Sequence, residues 1–221
     1  MTHALAVVAH FDDAAIWAGS AIRRTRTLGW EWTIVCTCAA EESRRRYFLE
    51  FCAELGARGI ALEFIDHPDG DPFSRNSRVA MAARVAAAVG GAAVDWVFSH
   101  SSDAAGEYGA HPNHAEAAQT VADLIASCAL QPRGVAQFAY RRFLAGRAGP
   151  PVAQPDASQI FVLDYEEISW KAAWCARARD VETRDPALGG RSWLEGLAWP
   201  CPSPEAFTVT GNPLPRPFDG W

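Results

Sequence analysis

The sequence predicts an α/β fold, a single Rossmann-like, doubly wound domain with a mostly parallel sheet. Three observations lead there. Short apolar runs alternate with longer amphipathic stretches over roughly residues 1–140, the pattern of repeated β-α units. The amphipathic stretches end near Gly29, Gly56 and Gly90, as helices do. And 221 residues suffice for one substantial core but not for two ordinary domains and a linker, so the domain is read as 1–221.

Element by element, residues 4–9 form the opening strand, the most apolar of the set, and 14–28 the first helix, with apolar side chains at helical spacing. Residues 33–38 and 61–65 give the second and third strands, separated by a helix over 42–55. A helix over 78–89, a strand over 94–99, a helix over 113–127 and a strand over 135–139 complete the regular part. Such helices cover both faces of the sheet. Past Gly146 the pattern weakens, and Gly149-Pro150-Pro151 and Pro155 interrupt the chain before a strand at 160–163 and a helix at 166–179. The segment from about 186 to 221 reads as irregular. It holds seven of the 14 prolines together with Trp193, Trp199 and Trp221, so it is poor in backbone donors and rich in aromatics, a composition suited to wrapping over the body.

Composition narrows the function classes. The net charge of −6, with scattered basic residues apart from Arg44-Arg45-Arg46, offers no stripe to neutralise phosphates, so no nucleic-acid partner is expected. No apolar run approaches the ~18 residues of a membrane span, and Met1-Thr2-His3 lacks the basic start of a signal peptide. A cytoplasmic protein without a membrane partner is the expectation, with a homo-oligomer left open. The six cysteines lack the dense spacing of a disulfide scaffold, and Cys36 and Cys38, two apart on a predicted strand, read as small buried residues with reduced thiols.

Chemistry concentrates in two loops. In an open α/β sheet, ligands collect at the carboxyl ends of the strands, especially where neighbouring connections diverge. Ala9-His10-Phe11-Asp12-Asp13 follows the opening strand, and Gly106-Glu107-Tyr108-Gly109-Ala110-His111-Pro112-Asn113-His114 lies between the fourth strand and the next helix. In the commonest doubly wound order the first and fourth strands are neighbours, so the two loops meet. His10, Asp13 and His114 then offer two imidazoles and a carboxylate to one point, a set suited to Zn²⁺ with positions left for water and substrate. Consecutive side chains on a tight loop diverge, which leaves Asp12 free to take a proton from an activated water. His111 faces the substrate side, to stabilise an oxyanion or protonate a leaving amine. Taken singly, a histidine at a helix start is an ordinary cap and an acidic pair an ordinary complement to the helix dipole. Four of the six histidines gathered with a double Asp at two adjacent strand ends are not. His3 and His67 have no assigned role, and His100 sits in the second loop outside the motif.

These residues resemble the LmbE-like or PIG-L superfamily of metal-dependent N-deacetylases. That family's Ala-His-Pro-Asp-Asp-Glu motif is similar to Ala9-His10-Phe11-Asp12-Asp13-Ala14, and its His-Pro-Asp-His, often preceded by Gly-Glu-Tyr-Gly, to His111-Pro112-Asn113-His114 after Gly106-Glu107-Tyr108-Gly109. The resemblance implies His10, Asp13 and His114 as ligands of one Zn²⁺ per chain, with Fe²⁺ or another divalent ion as alternatives, Asp12 as general base and His111 as electrophilic or general-acid imidazole. It also implies Arg44, Asp69 and Tyr108 as contacts of an N-acylated amino sugar or glycoconjugate. Phe11 stands for a proline, Ala14 for a glutamate and Asn113 for an aspartate; an amide beside His111 is expected to support its protonated form less well and to lower its pKa. Two rivals keep part of the pattern. Two His and one carboxylate also describe non-haem Fe(II) enzymes, and the changes at 14 and 113 suit a non-catalytic sugar-binding relative, which would have no need of Asp12.

Overall fold

The computed structural model describes residues 1–67, 76–101, 111–142, 151–184 and 204–215. In chain order the elements are β1 (His3–Val8), α1 (Asp13–Thr27), β2 (Glu31–Cys36), α2 (Glu42–Glu54), β3 (Arg58–Ala61), α3 (Arg78–Val89), β4 (Trp96–Ser99), α4 (Pro112–Ala126), β5 (Gly134–Phe138), β6 (Tyr140–Arg142), β7 (Pro151–Ala153), β8 (Gln159–Phe161), α5 (Tyr165–Thr183) and β9 (Glu205–Gly211).

Alternation along β1 sets the architecture. Ala4, Ala6 and Val8 point into one apolar layer and Leu5 and Val7 into the other, because successive side chains of a strand face opposite sides. The first layer takes in α1, α2 and α5 through Ile16, Phe48, Phe51 and Trp174. The second takes in α3 and α4 through Met81, Val85, Val121 and Leu124. Both faces of β1 are thus dry, which explains the near-continuous apolar run His-Ala-Leu-Ala-Val-Val. Seven strands form the main sheet in the order β3-β2-β1-β4-β5-β9-β8, and β6 pairs with β7 separately. From β3 to β5 every pairing is parallel; β9 joins β5, and β8 joins β9, antiparallel. The fold is therefore the mixed α/β, mostly parallel, doubly wound arrangement the sequence predicts. Among the described residues no helix is long and apolar enough to cross a membrane.

Two expectations shift. The third strand lies at Arg58–Ala61, not 61–65, since Gly59 lets α2 pack close: a side chain there would meet Cys52 at 2.8 Å. The more apolar residues after it leave the ladder, held by Leu62 N–H to the Cys36 carbonyl and Phe64 N–H to the Thr37 carbonyl, and carry residues 65–67 towards the sheet's carboxyl edge. Within the segment read as irregular, Glu205–Gly211 forms a strand inside the main sheet. Its alternation is short and flanked by prolines, and its head, Glu205, is a buried charge that no apolar pattern anticipates. The rest of that segment, 186–203 and 216–221, falls outside the described residues.

Candidate active site

Parallel pairing of β1 with β4 brings Val7 opposite Ser99, so the chain leaves both strands at the same edge. His10, Asp12 and Asp13 follow one strand and His100 the other. α4 then starts beneath them: Pro112 takes the first helical position, where its missing N–H costs nothing, and the His111 ring accepts from Asn113 N–H as the cap. His114 lies one turn into the helix and faces back into the cluster.

The three residues expected as ligands converge. His10 Nδ1 is 3.1 Å from His114 Nε2 and 3.4 Å from Asp13 Oδ2, and His114 Nε2 is 3.5 Å from Asp13 Oδ1. Donors held by one tetrahedral zinc at ~2.0–2.1 Å lie roughly 3.3 Å apart, so these pairwise distances suit a divalent cation, with Asp13 turning a different oxygen to each imidazole. Among the described residues, the groups whose single ligand atoms all lie within 4.8 Å of one another are His10 with His111 and His114, and Asp13 with His100 and His114. Asp13 is fixed from outside the triple. Its Oδ2 accepts from His10 N–H at 2.6 Å, and its Oδ1 from the Trp17 indole at 3.0 Å.

Electrostatics separate the two adjacent aspartates. Burial opposes ionisation of Asp13, but His114, His100 and His10 overcome it and hold the carboxyl well below its ordinary range. Asp12 is pushed up to about 6, by burial first and by the neighbouring Asp13 charge second. It occupies the N-cap position of α1 without capping it, and its Oδ2 is buried with no hydrogen-bond partner among the described residues. An ordinary helix-start aspartate would have used that oxygen on the helix. Burial works against charge on His10 too, yet Asp13 and Asp66 together raise it to about 10. His111 goes the other way, down to about 3, through burial and then the His10 and His114 charges. The Asn113 carboxamide is not what sets it. That amide accepts from His67 N–H at 2.8 Å and donates to the Ile65 carbonyl at 2.8 Å and to Glu116 at 3.2 Å, while it is the backbone N–H of Asn113 that the His111 imidazole caps.

Arg44, in the first turn of α2, reaches the same edge: its Nη1 donates to Asp66 Oδ2 at 2.6 Å, and the guanidinium lies 5.6 Å from the Phe11 ring centre. Phe11 and Tyr47 meet edge to face at 5.1 Å and close the floor of the site with buried aromatic surface. Asp69 and Tyr108 fall outside the described residues. Three neighbours escaped the sequence reading. His100 is fully buried, stacks on His114 at 3.9 Å and accepts from Ala9 N–H at 3.1 Å. Asp66 meets His10 Nε2 at 3.2 Å. Trp17 lies one helical turn after Asp13, a spacing readable in sequence, whereas Asp66 arrives only through the displaced third strand.

The profile of the PIG-L family, described as GlcNAc-PI de-N-acetylase, matches residues 5–125. No curated protein matches the chain. Among solved structures, a deacetylase of the teicoplanin biosynthesis pathway is 14% identical with TM-score 0.63, over 95% of this chain and 98% of that one. The N,N'-diacetylchitobiose deacetylase of Pyrococcus horikoshii is 16% identical with TM-score 0.59, over 95% and 84%. GalB, the 4-carboxy-2-hydroxymuconate hydratase of Pseudomonas putida KT2440, is 19% identical with TM-score 0.58, over 89% and 83%. At such identities the likeness is one of fold, and that fold carries more than one chemistry.

Proposed function

Because the chain belongs to the PIG-L (GlcNAc-PI de-N-acetylase) family, we propose that it is a metal-dependent amide hydrolase. It removes an acyl group, acetyl in the simplest case, from the nitrogen of an amino sugar or sugar-bearing conjugate. The observation that carries this reading is a pair of adjacent carboxylates in opposite states: Asp13 packed into a cluster of histidines, and Asp12 buried beside it with an unused oxygen. The deacetylase named in two of the similar structures supports the reaction class.

His10, Asp13 and His114 would hold one divalent cation per chain, zinc being the one this donor set and the resemblance favour. Bound there, it supplies the Lewis acidity that brings a water's pKa near neutrality and polarises an amide carbonyl. Asp12 does the proton work. Its Oδ2 takes the water proton as the nucleophile forms, and a pKa raised to about 6 makes it a stronger base than an exposed carboxylate while leaving it ionised at pH 7. His111 stays neutral. With Nδ1 engaged by Asn113 N–H, its remaining proton sits on Nε2, as a donor for a carbonyl oxygen gaining negative charge. Phe11 and Tyr47 keep the floor dry, which strengthens each of these interactions. Arg44, with Asp69 and Tyr108, is assigned to the sugar side.

Screening N-acylated amino sugars and glycoconjugates for amine release, with and without chelator, tests the proposal. Release that chelator abolishes and Zn²⁺ restores is expected. Chelator-insensitive release would remove the metal from the reaction, and hydration of an unsaturated acid without any amine release would place the chain with the hydratase instead.

A further inference from the structure

The first coordination set accounts for one nitrogen of His10. A metal-binding imidazole needs its other nitrogen protonated and pinned, because that bond fixes the tautomer and the plane of the ring. His10 Nδ1 is the atom that faces Asp13 and His114, at 3.4 and 3.1 Å. Its Nε2 faces Asp66 Oδ1 at 3.2 Å, and Asp66 Oδ2 in turn accepts from Arg44 Nη1 at 2.6 Å. A continuous chain therefore runs from the first turn of α2, through the segment that leaves β3, to the ring at the end of β1. Three elements distant in sequence meet on one imidazole.

We infer that Asp66 is a positioning residue for the metal site: it holds His10 as the Nε2–H tautomer with Nδ1 aimed at the cation, and Arg44 holds Asp66. This rests on the metal reading proposed above and deepens it. The arrangement has the three marks of such a carboxylate. It contacts the nitrogen opposite the donor atom; it is itself oriented by a cation; and it makes no contact with the other ligands, Asp13 and His114, among its hydrogen bonds. The role adds to the sugar contact assigned to Arg44, whose Nη1 is engaged with Asp66.

Asp66 is about one-third exposed on its side chain (35%), so removing it opens no core cavity. Zinc affinity, measured by competition with a chromophoric chelator, is compared in the wild type, Asp66→Ala and Asp66→Asn. Asp66→Ala is expected to weaken zinc binding about 10- to 100-fold. Asp66→Asn, which keeps an acceptor oxygen, should lose less, and kcat of Asp66→Ala should recover at saturating zinc. Nitrogen-15 spectra of the zinc-loaded protein give a readout that a merely structural role would not move. A hydrogen-bonded His10 Nε2–H is expected in the wild type, and its protection from exchange should vanish in Asp66→Ala. Zinc affinity within about twofold of wild type in Asp66→Ala overturns the inference, and a raised KM beside it would make Asp66 a substrate contact. A wild type that binds no zinc overturns the metal reading itself, and this inference with it.

Discussion

Two buried carboxylates at opposite ends of the sequence show how the same costly group serves different ends. Glu205, at the head of β9, is fully buried and fully engaged: Oε1 accepts from Ser20 N–H at 2.9 Å and from Lys171 Nζ at 2.7 Å, and Oε2 from Ala21 N–H at 2.8 Å. Asp12 is as deeply buried and is left with an open oxygen. A buried charge stabilises nothing by itself and is tolerated when every lone pair is used. One that keeps an unused lone pair retains a cost that folding alone would not maintain, and it retains basicity for the same reason. Glu205 ties β9, α5 and α1 together with both side-chain oxygens, whereas Asp12 Oδ2 ties nothing among the described residues.

If that contrast is right, the two positions should fail in different assays. Asp12→Asn keeps the shape and removes the base, so amine release should fall about 100- to 10,000-fold while zinc content and melting temperature stay at or above wild type. A loss of fold in Asp12→Asn would make Asp12 structural and erase the distinction. Lys171→Met should do the reverse. Stranding the Glu205 charge in the core should cost about 3–5 kcal/mol in denaturant unfolding, with the folded fraction turning over at the normal rate per bound zinc. Adding Glu205→Gln should recover part of that loss, since no lone charge remains. A double variant as unstable as the sum of the singles would show that packing, not charge, is at stake.

The same contrast explains what could be read in advance. That His10, Asp13 and His114 lie together was legible because motif and topology agree: an apolar strand, a loop with two carboxylates, and an assumed strand order that put β1 beside β4. Asp12 was separable from Asp13 only as a stereochemical argument about consecutive side chains, and the buried, unpartnered oxygen now gives it content. Glu205 and Lys171 were not legible at all. Neither belongs to a periodic pattern, and their burial depends on a strand that joins the sheet from a proline-rich background. Asp66 was hidden for a related reason. Reading 61–65 as strand put it just past an ordinary strand end, whereas the strand closes at Ala61 and Asp66 meets His10 five residues on.

Asn113 lies between the two regions in kind, being polar, buried and fully used. Its expected influence on His111 through charge gives way to a bridging role between α4 and residues 65–67. Asn113→Asp would set a carboxylate against the Ile65 carbonyl and the Glu116 carboxylate, which an amide can satisfy and an acid cannot. A loss of about 1–3 kcal/mol in thermal or denaturant unfolding is expected. Were stability unchanged and the acidic limb of the activity profile moved instead, the amide would belong to the catalytic side of the comparison after all.

The smallest effect should come from Trp17, where packing and site overlap. Its indole Nε1 donates to Asp13 Oδ1 at 3.0 Å from one turn along α1, so Trp17→Phe removes one hydrogen bond from a carboxylate that keeps its other partners. The net worth of such a bond is about 1 kcal/mol, or roughly fivefold in zinc affinity. Because the exchange also removes buried volume, it needs a matched control. Trp32 provides it: an indole in the same core layer whose Nε1 donates to a hydroxyl, Thr25 Oγ1, at 2.9 Å. Trp32→Phe should cost comparable stability and leave zinc affinity untouched. Equal zinc affinities in the two variants would mean that Asp13 is aimed by the His10 N–H and the surrounding imidazoles, and that the indole belongs to the core and not to the site.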